Sequence, residues 1–230
     1  AGRLTFGTNT LTNIKNAFSQ YDISGAFVNS LIISVITTFA CVFLCSMAGY
    51  AFVIFRTKFL NAIFGILLLS MMIPFSALMI PLFTMFGKAG INNTYLAVIL
   101  PSVATAFMIF FFRQNTESFQ YELVQAARVD GLSELGIFIK IYMPVMGSSY
   151  AAAFIIPFMN SWNNYLWPLV TISSNEKRTL PLLLSYVSSA YTPDYGVIMV
   201  TIIIATIPMI LIFFLLQKYF VSGMVGAVKG

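Results

Sequence analysis

Long apolar runs alternate with shorter polar stretches along this chain: 27–55, 60–86, 95–112, 148–172 and 195–216 are apolar almost throughout. Each is close to or beyond the ~20 residues that carry a helix across a bilayer. None alternates apolar and polar positions over about ten residues, as a membrane barrel strand would. Lipid offers no partner to exposed N–H and C=O groups, so runs of this kind predict helices that close their own hydrogen bonds. Pro74, Pro81, Pro101, Pro157, Pro168 and Pro208 fall inside the runs. Each removes a backbone donor and bends a helix. Such bends are tolerated where neighbours answer the freed carbonyl, so the pattern predicts a curved, protein-packed bundle and favours a transport pathway over a simple tether.

The polar stretches supply the topology. Residues 1–26 are mixed and could hold a short amphipathic helix; Gly87 to Asn93 is a turn cluster; 173–194 is a loop carrying Glu176, Lys177 and Arg178. Of the 12 Lys and Arg residues, seven lie in 56–59, 113–147 and 217–230 and five in the other set of connections. The positive-inside bias then puts 113–147 and the tail 221–230 in the cytoplasm, and 1–26 and 173–194 outside. The expected layout is an external N-terminal segment 1–26, a transmembrane domain 27–220 and a cytoplasmic tail. Five spans beginning outside lead to the expectation of one further N-terminal span ahead of the numbered chain.

The stretch 113–147 has helix patterning of its own. Ser118 is placed to cap a helix with Glu122 in its first turn, where negative charge is favourable. Phe119, Leu123, Ala126 and Ala127 share a face by 3–4 spacing. Asp130-Gly131 stops it, because glycine adopts the left-handed conformation a helix end needs. Ser133 can cap a second helix whose apolar stripe is Leu135, Phe138, Ile139 and Tyr142, with Pro144 ending it. This is either an interfacial amphipathic connector or a docking knob for a soluble partner.

Composition narrows the classes. Hydrophobic residues make up 59% and charged residues 8% of 230, with a mean hydropathy of +0.90, against about 25% charge in soluble domains. The net charge of +5 is spread thinly, which argues against a nucleic-acid surface. There is no histidine, and Cys41 and Cys45 lie within an apolar run, so they read as packing residues and no metal site is expected. All seven acids lie outside the span interiors, which argues against an ion-coupled carrier or channel and against an intramembrane acid–base enzyme. No phosphate-loop motif occurs, so any ATP chemistry would belong to a partner and no catalytic residue is expected here.

The hairpin residues carry a resemblance. Gln125-Ala126-Ala127, then Gly131 after three residues, Ile141 after nine more, then Met143-Pro144, resembles the EAA loop of ATP-binding-cassette importer permeases. Gln125 stands where the family has glutamate and Met143 where it has leucine; the first change removes a charge, and the second is nearly neutral in packing. Asn29-Ser30-Leu31, Met72-Ile73-Pro74, Ile80-Pro81-Leu82, Gly90 to Tyr95, Asp130-Gly131, Ser161 to Leu169 and Thr179-Leu180-Pro181 are similar to the carbohydrate, maltose-type branch of that family. The ending Gly226 to Gly230 is similar to the tail of the subunit related to the smaller maltose-importer permease.

The resemblance implies an all-α polytopic membrane protein of six spans with a cytoplasmic helix-turn-helix coupling loop, in a bacterial-type inner membrane. It implies a second permease subunit, two ATPase subunits that bind ATP and Mg, an extracellular sugar-binding protein and a carbohydrate substrate. Residues 119–144 would be the coupling element, with Gln125, Ala126, Ala127, Asp130 and Gly131 at the contact and Ile141 and Pro144 fixing the second helix. Lys229 would reach the ATPase interface. Asn160, Asn163, Asn164 and Trp167 fall at 3–4–7 spacing on one helix face, with Tyr165 beside them, and are the candidate pathway residues: amides can exchange hydrogen bonds with sugar hydroxyls, and aromatic faces suit sugar rings. The same asparagines could instead bind helix to helix. Within the importer class, polyamine or anion permeases are the alternative; absence of charge in the spans favours a neutral solute.

Overall fold

In the computed structural model, which describes residues 9–226, the chain is a helical bundle with no strand among the described residues. A short helix α1 (Thr10–Gln20) precedes α2 (Ile23–Ile54). Asp22 starts α2, its Oδ1 accepting from Gly25 N at 2.8 Å. At 1.5 Å per residue, the 32 residues of α2 make a rod of about 48 Å. This rod is the spine of the molecule: α6 (Ala106–Thr116) and α10 (Gly147–Trp162) pack along it, and α13 (Tyr195–Gly226) packs on α10 and α1.

The face of α2 that receives its neighbours is built from small residues. Ser30, Ser34, Thr37, Thr38, Cys41, Cys45, Ser46 and Gly49 are all buried. Small side chains at three- and four-residue spacing let helix backbones approach closely, the main source of association between helices in lipid. The approach is tightest at Gly49, where an added Cβ would stand 2.6 Å from Phe112 Cβ and 2.8 Å from Arg113 N. Cys41 and Cys45 are free and fully buried with their sulfurs 3.8 Å apart. No group of three His, Cys, Asp or Glu able to hold a metal exists among the described residues.

Three of the five apolar runs are broken where the sequence predicts single spans. The run 60–86 is two helices, α3 (Lys58–Ser70) and α4 (Phe75–Lys88), meeting at 102°. Pro74 cannot continue α3, and Met71, Met72 and Ile73 close tight turns onto Leu68, Leu69 and Ser70. The run 95–112 is α5 (Tyr95–Ile99), a 3-10 turn Leu100–Ser102 around Pro101, and α6, whose N-cap Thr105 accepts from Met108 N; the two limbs meet at 43°. The run 148–172 ends as a helix at Trp162, and a separate α11 (Leu166–Thr171) comes after it. Among the described residues two helices are long and apolar enough to cross a membrane alone, and up to five spans result if each bent pair counts as one.

The stretch 173–194 is not an open loop. After a 3-10 turn at Asn175–Lys177 it forms α12 (Leu180–Ser188), which begins with Pro181 in its first turn and buries Leu180, Leu182, Leu183 and Val187. The sequence pattern hid this helix because nine residues are too few to read as a span. The expected amphipathic helix in 1–26 is α1, with Leu11, Ile14 and Phe18 on its open side.

Two ends of the bundle are tied differently. At the end where α2 begins, Asn29 Nδ2 donates to the carbonyls of Glu176 (2.7 Å) and Arg178 (2.9 Å), its Oδ1 accepts from Tyr95 OH (2.7 Å), and Ser30 Oγ accepts from Leu180 N (2.7 Å). Asn93, at φ 60°, accepts through Oδ1 from Ser173 N, Ser174 N and Ser174 Oγ, each at 3.0–3.1 Å. Lys177 Nζ donates to the Asn93 carbonyl at 2.8 Å. At the end where α2 finishes sits the hairpin.

Candidate functional site

The hairpin is α7 (Tyr121–Val129), a turn, α8 (Glu134–Ile137), a π-wound segment Phe138–Tyr142 and α9 (Met143–Val145). α7 starts without a side-chain cap, because Ser118 Oγ turns back and donates to Asn115 O at 2.7 Å. Its stop agrees with the expectation: Gly131 has φ 80°, its N–H donates to Arg128 O at 3.1 Å, and Leu132 N donates to Ala127 O at 3.0 Å. This pair of bonds is the Schellman arrangement, which satisfies carbonyls left open at a helix end. Ser133 Oγ accepts from Gly136 N at 3.2 Å and so starts α8 as the sequence predicts. Arg128 crosses the turn: its Nε donates to Glu134 Oε1 at 2.7 Å and its Nη1 to Tyr121 OH at 3.2 Å, which holds the guanidinium above its ordinary pKa.

Beneath this turn lies an aromatic core shared with α2. Tyr50 and Ile54 of α2 pack with Phe119, Val124, Ala127, Ile137, Phe138, Tyr142 and Met146. The ring of Tyr142 is 4.8 Å from Tyr50, 5.3 Å from Phe119 and 5.4 Å from Phe138, within the range where edge-to-face and offset contacts stabilise. Tyr142 OH and Thr116 Oγ1 share a buried hydrogen bond of 2.6 Å. Burial pushes the Tyr142 pKa up to about 12, against the opposing effect of that hydrogen bond, so the phenol stays neutral.

Several expected positions shift. Ala127 is buried in this core and Val124 takes the inward place assigned to Ala126, which is exposed. The inward stripe of the second limb is Ile137, Phe138, Ile141 and Tyr142; Leu135 and Ile139 face out. The inward positions 137, 138, 141 and 142 keep ordinary 3–4 helical spacing, and Leu135 and Ile139 fall off that face. Pro144 is the second residue of α9, and the limb ends one residue later at Val145, where the chain bends by 87° into α10. A proline there cannot donate to the Lys140 carbonyl, which fits the widened turn before it. The exposed crest is therefore Gln125, Ala126, Val129 (87% exposed), Asp130 and Gly131.

The polar set of the fourth run separates. Asn163 is the residue after α10, Asn164 lies in the turn with its Oδ1 accepting from Trp167 N at 3.4 Å, and Trp167 belongs to α11, so these residues do not share one helix face. Trp167 is fully buried and its Nε1 donates to Ala97 O at 2.7 Å. That carbonyl has no helical donor, because the residue four positions on is Pro101. Trp167 is thus a packing anchor here, not an open lining residue. Tyr165 OH accepts from Ser185 Oγ at 3.0 Å, Asn163 Nδ2 donates to Met159 O at 3.0 Å, and Asn160 is exposed. Sequence reasoning missed Thr37, Ser102 and Thr105, which line a recess beside Asn160. Lys229 lies outside the described residues.

Residues 42–226 match the family described as the binding-protein-dependent transport system inner membrane component. The chain belongs to that family. As a family member it is similar to the lactose transport system permease protein LacG of Rhizobium radiobacter, 49% identical over 99% of this chain and 84% of the relative. It is also similar to the arabinooligosaccharides transport system permease protein AraQ of Halalkalibacterium halodurans, 40% identical over 97% of this chain and 81% of the relative. The fold matches a chain from the crystal structure of a bacterial ABC transporter involved in the import of the acidic polysaccharide alginate, with a TM-score of 0.85, 21% identity, and coverage of 96% of this chain and 84% of that one. The inner membrane component is a helical bundle of the ABC-permease kind.

Proposed function

We propose that this inner membrane component is the permease subunit of an ATP-driven carbohydrate importer, building a translocation route with a second permease subunit. Two ATPase subunits supply ATP and Mg chemistry, and an extracellular sugar-binding protein delivers the solute. The observation that carries this reading, beside family membership, is the hairpin: a small, exposed crest at Gln125, Ala126, Val129, Asp130 and Gly131, mounted on an aromatic core continuous with the spine helix. A partner pressing on that crest pushes on Phe138 and Tyr142, and through Tyr50 on α2 itself. The hairpin and the tail lie on the cytoplasmic side, and the strapped segment at Asn93 and 173–179 faces the binding protein. The relatives named for lactose and arabinooligosaccharides support a neutral sugar as cargo.

The test uses the complete importer in proteoliposomes. Ala126→Trp adds bulk on the crest while leaving the buried core untouched, because Ala126 is exposed. The expected result is loss of ATPase binding and of sugar uptake with the permease still folded and inserted. Uptake at the level of the unmodified importer refutes the docking role.

A further inference from the structure

Helix α1 buries one side and leaves an apolar stripe open on the other. The Asn13 side chain packs directly on Gly196 of α13, where an added Cβ would stand 2.6 Å from it. Ala17 is fully buried in the same core as Val197, Ile198 and Val200. Leu11, Ile14 and Phe18 are 80%, 39% and 48% exposed. At ~100° per residue they fall within about 60° of one another. Lys15 follows on the side of that stripe away from Ala17; it is exposed and forms no ion pair among the described residues. Thr12 and Ser19, both exposed, come next. Around the axis the order is packed protein, apolar stripe, cation, hydroxyls.

The packing on α13 fixes the height of α1. The membrane-grade part of α13 is Tyr195–Leu215, 21 residues. Such a helix is about 31 Å long, which matches the ~30 Å hydrocarbon core of a bilayer. Gly196 and Val197 to Val200 belong to its first turns, so α1 lies beside the outermost part of a membrane span. Tyr195 is exposed there, at the depth where tyrosines gather. Met199, Ile202 and Ile203 of α13 are exposed one and two turns further in. The open surface of the bundle at this height is therefore apolar on α13 and continues as the stripe on α1. This end of the bundle is the one opposite the hairpin, because α2 begins here and finishes there.

We propose that α1 is an interfacial helix docked on the phospholipid of the outer leaflet: Leu11, Ile14 and Phe18 enter the acyl boundary, and Lys15 reaches the phosphates. Helices that lie in an interface bury an apolar face and carry cations on the polar one, and a lysine stem can lie along lipid while its ammonium stays at the headgroups. Only Tyr21 and Asp22 separate α1 from α2. The lipid contact thus holds the outer end of the spine at a set height, where Asn29 ties down the carbonyls of Glu176 and Arg178. No particular solute is needed for this; only the choice of leaflet rests on the cytoplasmic placement of the hairpin.

The test uses the complete importer in vesicles of phosphatidylethanolamine and phosphatidylglycerol. Leu11→Cys, Thr12→Cys, Ile14→Cys, Phe18→Cys and Ser19→Cys, one at a time, each carry a nitroxide. All five positions are exposed, so the fold tolerates the label. The native Cys41 and Cys45 are fully buried, and the unsubstituted importer labelled in parallel gives the background. Electron paramagnetic resonance compares collisions with oxygen, which concentrates in lipid, and with a water-soluble nickel chelate. The oxygen-to-nickel ratio at 11, 14 and 18 should exceed that at 12 and 19 by about threefold or more. High nickel collision at 11, 14 and 18 means that water covers the stripe, and low collision with both reagents means that another protein surface does; either overturns the proposal. Lys15→Glu should lower the ratio at 18 about twofold, through repulsion from the anionic headgroups; an unchanged ratio overturns the part given to Lys15. In right-side-out vesicles Ser19→Cys should react with a membrane-impermeant maleimide added outside. Reaction only after lysis overturns the outer leaflet, and the cytoplasmic hairpin with it.

Discussion

Gly49→Ala is the sharpest test of how the spine is assembled. The added methyl would meet Phe112 Cβ at 2.6 Å, Arg113 N at 2.8 Å and Phe112 C at 2.9 Å. Carbon atoms rest at about 3.5–4.0 Å, so α2 and α6 must part by roughly 1 Å. Two of the three obstacles are backbone atoms, which no rotamer change can move aside. Overpacking of this kind costs about 1–3 kcal/mol, against a helix-propensity gain of up to ~1 kcal/mol for alanine over glycine. The net loss of up to ~2 kcal/mol corresponds to a melting point lowered by a few degrees for a chain of this length. The displacement also falls next to Tyr50, which carries α2 into the hairpin core. A thermal-shift measurement on detergent-purified complex, with uptake in parallel, reads both effects. Gly65→Ala is the matched control, since nothing lies within 4 Å of a Cβ there; it should be neutral or stabilising. If Gly49→Ala melts at or above the parent temperature, the close approach of α2 and α6 is not what holds the spine together.

Single contacts give further outcomes. Trp167→Phe keeps most of the ring but strands the Ala97 carbonyl, and should cost about 1–3 kcal/mol in a thermal-unfolding assay. Asn93→Gly keeps the positive φ and removes the acceptor for Ser173 and Ser174, so proteolysis within 173–179 should accelerate while the melting point moves little. Gly131→Ala meets open space but a φ of 80°, so it should destabilise the hairpin by about 1–2 kcal/mol, read by hydrogen exchange in α7. Tyr142, neutral in the fold with its pKa raised to about 12, binds a proton that the unfolded phenol has lost above pH ~10. Its contribution to stability should therefore be constant below that pH and fall as pH rises further, and Tyr142→Phe should remove the fall.

The hairpin was legible because its signals are local: Ser133 caps, Gly131 turns, and both act within a few residues of themselves. The runs of apolar residues were legible as helices for the same reason, and the family match agrees with them. What the pattern could not supply was the partner of each break. Pro101 predicts a freed carbonyl, yet only the fold shows that Trp167, 70 residues away, answers it. The face assignment of the second hairpin limb failed at Leu135 and Ile139 because these exposed apolar side chains fit a 3–4 pattern with Phe138 and Tyr142 as well as Ile137 and Ile141 do. The inward turn of Ala127 depends on Tyr50 and Ile54 of α2, beyond the helix it sits in. Thr37 gave no signal at all, being one small hydroxylated residue among many on α2.

The indole of Trp167 also sets which corners of the molecule can give. A proline bend whose stranded oxygen is already occupied behaves as a fixed elbow, since straightening it would break the bond that compensates it. The bend at Pro101 is of that sort. The corner at 71–74 is not: its turns close on themselves, and Met72 stands 80% exposed. If this chain must change shape to pass a solute, its pliant corner is there, and the elbow at Pro101 travels as part of a solid block.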